Sequence, residues 1–515
     1  MGVVAAGHPH TARAAEEVLR AGGNAYDAAI AALTTACVAE PVLASLGGGG
    51  FLLAAPTAGA PRVYDFFVNT PRRRREPDDI DFYPLAANFG SVTQEFHIGR
   101  GTFAVPGLVR GLFDLHRDLG SVPMPELVAQ AALLAREGVE ITPFQAYLFE
   151  VVKPMFTATA GVRTIYGGAR AEGALVGTGE TLRNPDLADA LEVLALEGDD
   201  LFYRGEIARA ILAEVAEGGQ VDERDLAEYR VVRRVPLSLD YHGVRVLTNP
   251  PPSSGGLLVA FGLRLLDELL PAAGDFGSFG HLAVLAAAMD LTGKARVDAL
   301  AAGDAAHVDS AAMLDPEFLA RYRGEVRNRA EALRGTTQIS IIDGAGNLAA
   351  LTVSNGEGCG HVAPGTGIVL NNMLGEEDLN PGGFQRWPAG QRMTSMMAPT
   401  GLAWRDGRIA ATGSGGSNRI RTAVLQVVLN LVDYGMGVTE AVEAPRIHFE
   451  RGLLSVEEGF PRVSLDALQT HFPQHQAWAE RNMFFGGAHT VMRVGGAFEG
   501  AGDPRRGGVC RRTDR

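Results

Sequence analysis

The stretch Glu331-Ala-Leu-Arg-Gly-Thr-Thr-Gln-Ile-Ser-Ile-Ile-Asp-Gly-Ala-Gly-Asn-Leu-Ala-Ala-Leu-Thr-Val-Ser354 decides the reading of this chain. A helical pattern runs into it and stops at Leu333-Arg334-Gly335, where glycine takes a position that ends many helices. Two strand-like runs follow, Gln338 to Ile342 and Leu348 to Val353, joined by Asp343-Gly344-Ala345-Gly346-Asn347 as a hairpin turn. Thr336 falls at the junction of helix and strand. Taken alone it reads as an ordinary strand residue, because β-branched side chains suit a strand. The sharper reading is that the chain is cut between Gly335 and Thr336. A threonine at a new amino terminus carries nucleophile and base in one residue: its hydroxyl attacks a carbonyl and its free amino group takes the proton. The ordinary pKa of such an amine, about 7.7–8.0, lies near neutrality, as a general base requires.

Composition bounds the alternatives. With 515 residues, 46% of them hydrophobic and 21% charged, the chain reads as a globular protein. A net charge of −14 argues against nucleic acid or an anionic membrane as partner. The run Arg72-Arg73-Arg74-Arg75 is followed by Glu76, Asp78, Asp79 and Asp81, and reads as a solvated, internally paired loop. Cys37, Cys359 and Cys510 are too few and too scattered for a disulfide framework or a zinc site, and the twelve histidines show no ligand spacing. Neither a metal nor a cofactor is expected. The apolar run Ala28 to Ala39 stops at Glu40-Pro41, short of the roughly 20 residues a membrane span requires. The amino-terminal sequence runs from Met1-Gly2-Val3-Val4 into a helix without the pattern of a secretory signal, so a cytoplasmic protein is expected.

Along the chain, His10 to Leu19 has the spacing of an amphipathic helix, and Asn24-Ala25-Tyr26-Asp27 opens a nearly all-apolar, buried one. Gly47-Gly48-Gly49-Gly50 enters a strand, Phe51 to Ala55, with no following Lys-Ser/Thr. Close backbone packing or an active-site wall fits it better than a phosphate cradle. Val63 to Phe67, Arg230 to Leu239, Gly243 to Thr248 and Gly367 to Leu370 read as strands. Helices crowd the first two-thirds, and glycine-punctuated strands follow Thr336. With no linker between them, one interleaved α/β (α+β) body is expected.

These segments, in this order, resemble the γ-glutamyltranspeptidase family of N-terminal nucleophile hydrolases. The anchors are Gly22-Gly23-Asn24-Ala25, the tetraglycine with Phe51, Val105-Pro106-Gly107, and Pro250-Pro251-Pro252-Ser253-Ser254-Gly255-Gly256. Thr336-Thr337, Asn371-Asn372, Ser395-Met396, Gly413-Ser414 with Gly416, Arg419-Ile420 and Ala444-Pro445-Arg446-Ile447-His448 continue the set. The resemblance implies a four-layer αββα sandwich and a precursor that cuts itself into a large subunit, residues 1–335, and a small one, residues 336–515. It also implies acyl transfer from an amide donor through a Thr336 acyl-enzyme, to water or an amine. Ser354 stands where the family keeps a hydroxyl that supports the nucleophile. Gly415, Gly416 and, in the neighbouring register, Ser417 stand where backbone N–H groups hold the oxyanion.

The donor pocket departs from the family pattern. Asp65-Phe66-Phe67-Val68 replaces Asp-Phe-Arg-Glu, so Phe67 stands where an arginine clamps the α-carboxylate of a γ-glutamyl donor. Met373 and Glu376 stand near the amide and carboxylate that hold its α-ammonium. Asn355, Thr394 and Ser395 keep polar contacts to the donor, and Arg392 or one of Arg72 to Arg75 remains open as a substitute clamp. The expected partners are a small-molecule amide, glutathione-like or otherwise, with water or an amine as acceptor. Two rivals stand beside this reading: the same chemistry on a non-glutamyl amide, and a silent family member. Cys359 near His361 offers a second nucleophile pair, although neighbours in an extended loop point apart.

Overall fold

The computed structural model describes residues 1–88, 93–302, 313–315, 319, 336–380 and 382–513. Gly335, the helix end expected at Leu333-Arg334-Gly335, and Pro381 lie outside the described residues.

Two antiparallel sheets face each other. The larger has seven described strands, in the order Val509–Thr513, Gly2–Ala6, Thr337–Asp343, Leu348–Ser354, Gly49–Ala55, Arg62–Phe66 and Val232–Arg234. The smaller has six: Ala497–Ala501, Thr490–Val494, Ile409–Thr412, Thr400–Trp404, Val244–Thr248 and Leu237–Tyr241. The hairpin that opened the sequence reading lies at the centre of the larger sheet, with Thr337 opposite Val353 and Gln338 opposite Thr352.

Alternation along the strands divides the side chains between two cores. Ile339, Ile341, Leu351, Val353 and Leu52 pack outward against the helices Pro9–Arg20 and Ala25–Ala39. Val3, Ala5, Phe51, Leu53, Leu348 and Ala350 pack inward against Val246, Leu402, Ala410 and Val491 of the smaller sheet. That core continues into the helices Ser254–Leu269 and Arg419–Val432 on the far side. The order is helix, sheet, sheet, helix, the αββα sandwich of an α/β (α+β) protein.

Local chemistry fixes the elements that position the site. Asn24 accepts from the N–H groups of Tyr26 and Asp27 at 2.8 and 3.0 Å, while the Asp27 carboxylate accepts from the Asn24 N–H at 3.0 Å. This reciprocal cap starts a helix whose fifteen residues are all buried. The tetraglycine packs backbone on backbone: a Cβ on Gly48 would lie 2.4 Å from the Ser354 carbonyl oxygen.

Some expectations need correction. The strand expected over Arg230 to Leu239 is two strands in different sheets, Val232–Arg234 and Leu237–Tyr241, with Pro236 between them. Proline donates no ladder hydrogen bond, and the chain changes sheets there. Gly2–Ala6 and Val509–Thr513 are strands that local periodicity does not announce: the first is buried along its whole length, and the second, at the sheet's edge, reads Val-Cys-Arg-Arg-Thr without alternation. The strand at Gly367 to Leu370 shrinks to Ile368–Val369. The arginine run is not paired internally. Arg72 bridges Glu228 at 2.5 Å, Arg75 donates to the Ala216 and Gly219 carbonyls, and Arg74 lies 4.8 Å over the Trp387 ring. Among the described residues, no helix is long and apolar enough to cross a membrane.

Candidate active site

Thr336 immediately precedes the strand Thr337–Asp343, and it is 4% exposed. By alternation it shares a face with Gln338 and Ser340, towards the smaller sheet, while Thr337 points to the outer helices. The Thr336 carbonyl meets a close backbone: a Cβ on Gly415 would lie 2.0 Å from it. The same carbonyl accepts from Arg506 Nη1 at 3.2 Å. Burial pushes the Arg506 guanidinium down to about 10, against the attraction of Asp503 and Glu40.

A small cavity of about 20 Å³ lies in front of this residue. Thr336, Ser354, Phe67, Met373, Glu376 and Ser395 all line it, so the fold brings together six residues expected from the sequence. Asp378, Leu379, Met396, Met397, Ser417 and Ile420 complete the wall. The space holds about one water molecule, so a donor enters as lining side chains move. Three of them, Met373, Met396 and Met397, are flexible thioethers suited to that. The lining contains two acids and no base. Phe67 is fully buried and stacks on Phe51, with ring centres 5.4 Å apart.

Two expected contacts lie elsewhere. Thr394 turns away, donating to the Pro252 carbonyl at 2.9 Å and meeting the Ser254 hydroxyl at 3.1 Å. It lines a neighbouring cavity of about 80 Å³ with Thr70, Leu379 and Arg392. Asn355 is buried behind the wall, and neither polar atom of its side chain has a hydrogen-bond partner. Thr394 lies in an extended stretch and Asn355 at the turn that follows the strand Leu348–Ser354, and neither side chain lines the cavity.

Among the described residues, no substitute clamp lines the cavity. Arg392 is committed to structure: its Nε lies 3.2 Å from Asp65 Oδ1, and its other nitrogens donate to the Phe67 and Arg230 carbonyls and the Tyr229 hydroxyl. Arg72, Arg74 and Arg75 have the partners given above. Cys359 is fully buried outside the cavity, and burial pushes its thiol up to about 12. His361, its supposed base, faces Glu214 at 2.7 Å.

Sequence reasoning missed the groups that hold the glycine loop. Ser417 adopts φ +52°, in the left-handed region that costs a side-chain-bearing residue about 1 kcal/mol or more. Its hydroxyl donates to Asp378 Oδ2, and Asn418 Nδ2 donates to Asp378 Oδ1 at 3.3 Å. Asp378 thus ties the loop after Gly415 and Gly416 across the cavity. On the other side, the two-residue strand Ser414–Gly415 pairs with Gly487–Ala488. Asp503 accepts from the Ala488 N–H at 2.8 Å, and meets Arg446 at 2.8 Å and Arg505 at 3.2 Å. The two guanidiniums hold the Asp503 carboxyl well below the usual carboxylate range, against burial. The only sequence signal was a local one, Asp503-Pro504-Arg505-Arg506, whose charges read as a surface turn until the fold buries them.

Asn371 and Asn372 are structural. Asn371 Nδ2 donates to the Gly47 and Ala104 carbonyls at 2.8 and 2.9 Å, and Asn372 Oδ1 accepts from the Glu357 N–H at 3.0 Å. They fix the turn that presents Met373 and Glu376. His448 is buried with its Nδ1 2.9 Å from the Thr422 hydroxyl, outside the cavity lining.

A buried threonine stands ahead of a central strand, its carbonyl pressed on a glycine loop, with a serine in the same cavity wall. Over residues 11–512 the chain matches the profile of the family described as Gamma-glutamyltranspeptidase. It belongs to the γ-glutamyltranspeptidase family. Among curated relatives, the acylase ACY 1 proenzyme of Pseudomonas sp. (strain SE83) is 31% identical, over 91% of this chain and 86% of that protein. The glutathione hydrolase proenzyme of Escherichia coli (strain K12) is 32% identical, over 98% of this chain and 90% of that protein. Among solved structures, a cephalosporin acylase from Bacillus halodurans superposes with a TM-score of 0.85 at 26% identity, covering 100% of this chain and 96% of that one. The chain is thus a γ-glutamyltranspeptidase-like enzyme with the N-terminal nucleophile hydrolase fold. Hydrolases and acylases of this family share its architecture.

Proposed function

We propose that the protein is a self-cleaving amidohydrolase or acyltransferase that works through a Thr336 acyl-enzyme. Cleavage after Gly335 would leave residues 1–335 and 336–515 as the two subunits and free the Thr336 amino group. The observation that carries this reading is the placement of Thr336 at the cavity wall, with Ser354 beside it and its carbonyl close against Gly415 and accepting from Arg506. The freed amine takes the proton of the Thr336 hydroxyl, the oxygen attacks the donor's amide carbonyl, and the N–H groups around Gly415 and Gly416 receive the oxyanion. The amine leaving group departs with that proton. Water or a second amine then releases the acyl group. A guanidinium beside the nucleophile disfavours a second positive charge there, which keeps the amine in the neutral form that accepts a proton.

A second reading concerns the donor, and a specific observation favours it. Among the described residues that line it, the cavity presents Phe67, Met373, Met396 and Met397 with two acids and no cation, so an α-carboxylate finds no counter-charge in that lining. An amide whose acyl end is apolar or carries only an ammonium fits better than glutathione. The relatives do not choose between these, since an acylase and a glutathione hydrolase are almost equally identical to this chain. Sequencing the smaller fragment tests the shared chemistry: it should begin Thr-Thr-Gln-Ile-Ser, and Thr336→Ala should give an uncut, inactive chain. A single uncut wild-type chain after prolonged incubation, or turnover by Thr336→Ala, would sink it.

A further inference from the structure

A larger cavity, of about 310 Å³, lies behind the nucleophile strand, on the outer side of the larger sheet. It is bounded by the start of the helix Pro9–Arg20, the segment after the helix Ala25–Ala39 and the helix Pro143–Val151. Pro9 and Pro143, both exposed, stand at its rim and give it a route to solvent. Its walls are apolar, formed by Val42, Leu43, Phe144, Leu148 and Phe149. The volume lies at the lower end of the range for small-molecule sites, about 300–1,000 Å³.

The polar groups of the lining are satisfied internally, with one exception. Glu40 Oε1 accepts from the Thr11 hydroxyl at 2.7 Å and Oε2 from the Thr337 hydroxyl at 2.8 Å. Thr142 and Gln145 cap each other: Thr142 Oγ1 accepts from the Gln145 N–H at 3.2 Å, and Gln145 Oε1 from the Thr142 N–H at 2.9 Å. Gln145 Nε2 donates to the Ala39 carbonyl. His8 differs. Its Nδ1 accepts from the His10 N–H at 3.2 Å, which places the proton of the neutral ring on Nε2. That Nε2–H makes no hydrogen bond of ordinary geometry, although Gln145 lies close enough to oppose burial's effect on the ring and the residue is 4% exposed. Burial lowers the ring's pKa to about 4, so it is neutral at physiological pH. An unpaired buried donor is costly and rare in native proteins.

We infer that this cavity is a second binding site, for a small, neutral, mostly apolar molecule with one acceptor oxygen that takes the hydrogen bond of His8 Nε2–H. Burial shifts the Glu40 carboxyl towards its neutral form, so the lining offers a cation no full counter-charge, and the described lining holds no cation for an anion. The site is separate from the substrate cavity but touches the same strand. Glu40 holds Thr337, the residue after the nucleophile, and Gly507, also in the lining, follows Arg506, which holds the Thr336 carbonyl.

The test uses 1-indanone and indane, which share a bicyclic shape and differ in one carbonyl. Calorimetric titration of the full-length protein should show 1-indanone binding at one saturable site, about tenfold more tightly than indane, as expected for one hydrogen bond. His8→Ser keeps an oxygen to cap the His10 N–H but takes away the ring Nε2–H, its short hydroxyl staying beside the backbone, and should bring the two probes to equal affinity. Leu148→Trp should abolish both by filling the cavity. Val42→Phe serves the same purpose if melting curves show that Leu148→Trp does not fold. Absence of saturable 1-indanone binding, equal wild-type affinity for the two probes, or binding that survives the filled cavity would each overturn the inference.

Discussion

The α-carboxylate of a γ-glutamyl donor meets no cation among the residues that line the nucleophile cavity. Its cost is isolated by comparing γ-glutamyl p-nitroanilide with 4-aminobutanoyl p-nitroanilide, which differ in that carboxylate alone. Burying a charge whose partner has been removed costs about 3–5 kcal/mol. The Ser395 hydroxyl lines the cavity and can return about 1 kcal/mol by donating to the carboxylate. Glu376 and Asp378 repel it and attract the ammonium that both donors keep. The net is about 2–4 kcal/mol, and at about 1.36 kcal/mol per factor of ten this is a preference of roughly 30- to 1,000-fold in kcat/KM for 4-aminobutanoyl. Release of p-nitroaniline from self-cleaved enzyme, followed by absorbance with enzyme-free blanks, measures it directly. A γ-glutamyl donor that performed equally well would refute the reasoning. So would glutathione turnover at about 10⁴ M⁻¹s⁻¹ or more, the range of an ordinary enzyme on its own substrate.

Three further outcomes are expected. Ser354→Ala should slow both cleavage and turnover about tenfold, the worth of one supporting hydrogen bond; single-turnover kinetics that show no change, or complete loss, would contradict a supporting role. Asp503→Ala strands Arg446 and Arg505 in the core, so urea unfolding should show a loss of about 3–5 kcal/mol, with reduced activity because the strand beside Gly415 loosens; a loss under about 1 kcal/mol would contradict it. Stability should also fall on acidification from pH 7 to 4.5. Burial holds His8, His281, His448 and His489 at about 4, below the ordinary value of about 6.5. Within that window the unfolded chain binds protons that the native chain does not, so stability is present above about 6.5 and is lost as pH falls towards 4. The raised carboxyls of Glu40, Asp225 and Asp433 oppose this. A thermal midpoint that is unchanged or higher at pH 4.5 would show the sign to be wrong.

The sequence by itself determined the hairpin from Thr337 to Ser354, the buried helix capped by Asn24, and the membership signalled by an ordered set of short motifs. These are local: a turn, a cap or a glycine junction is specified by residues a few positions apart. Its motifs also pointed to Phe67, Ser354, Met373, Glu376 and Ser395, which the fold brings to one cavity with Thr336. Tertiary structure alone decided which polar groups face the cavity and which are consumed elsewhere. Arg392 was free in the sequence but is spent on Asp65 and three backbone carbonyls. Thr394 and Asn355 sit in the motif yet point away. Asp378, Arg506 and Asp503 act across separations of 39, 170 and 15 residues. The amino- and carboxy-terminal strands meet in one sheet, with Gly2 opposite Thr513. A charge's role depends on what burial leaves it to pair with, and burial is a property of the packed layers rather than of any stretch of sequence.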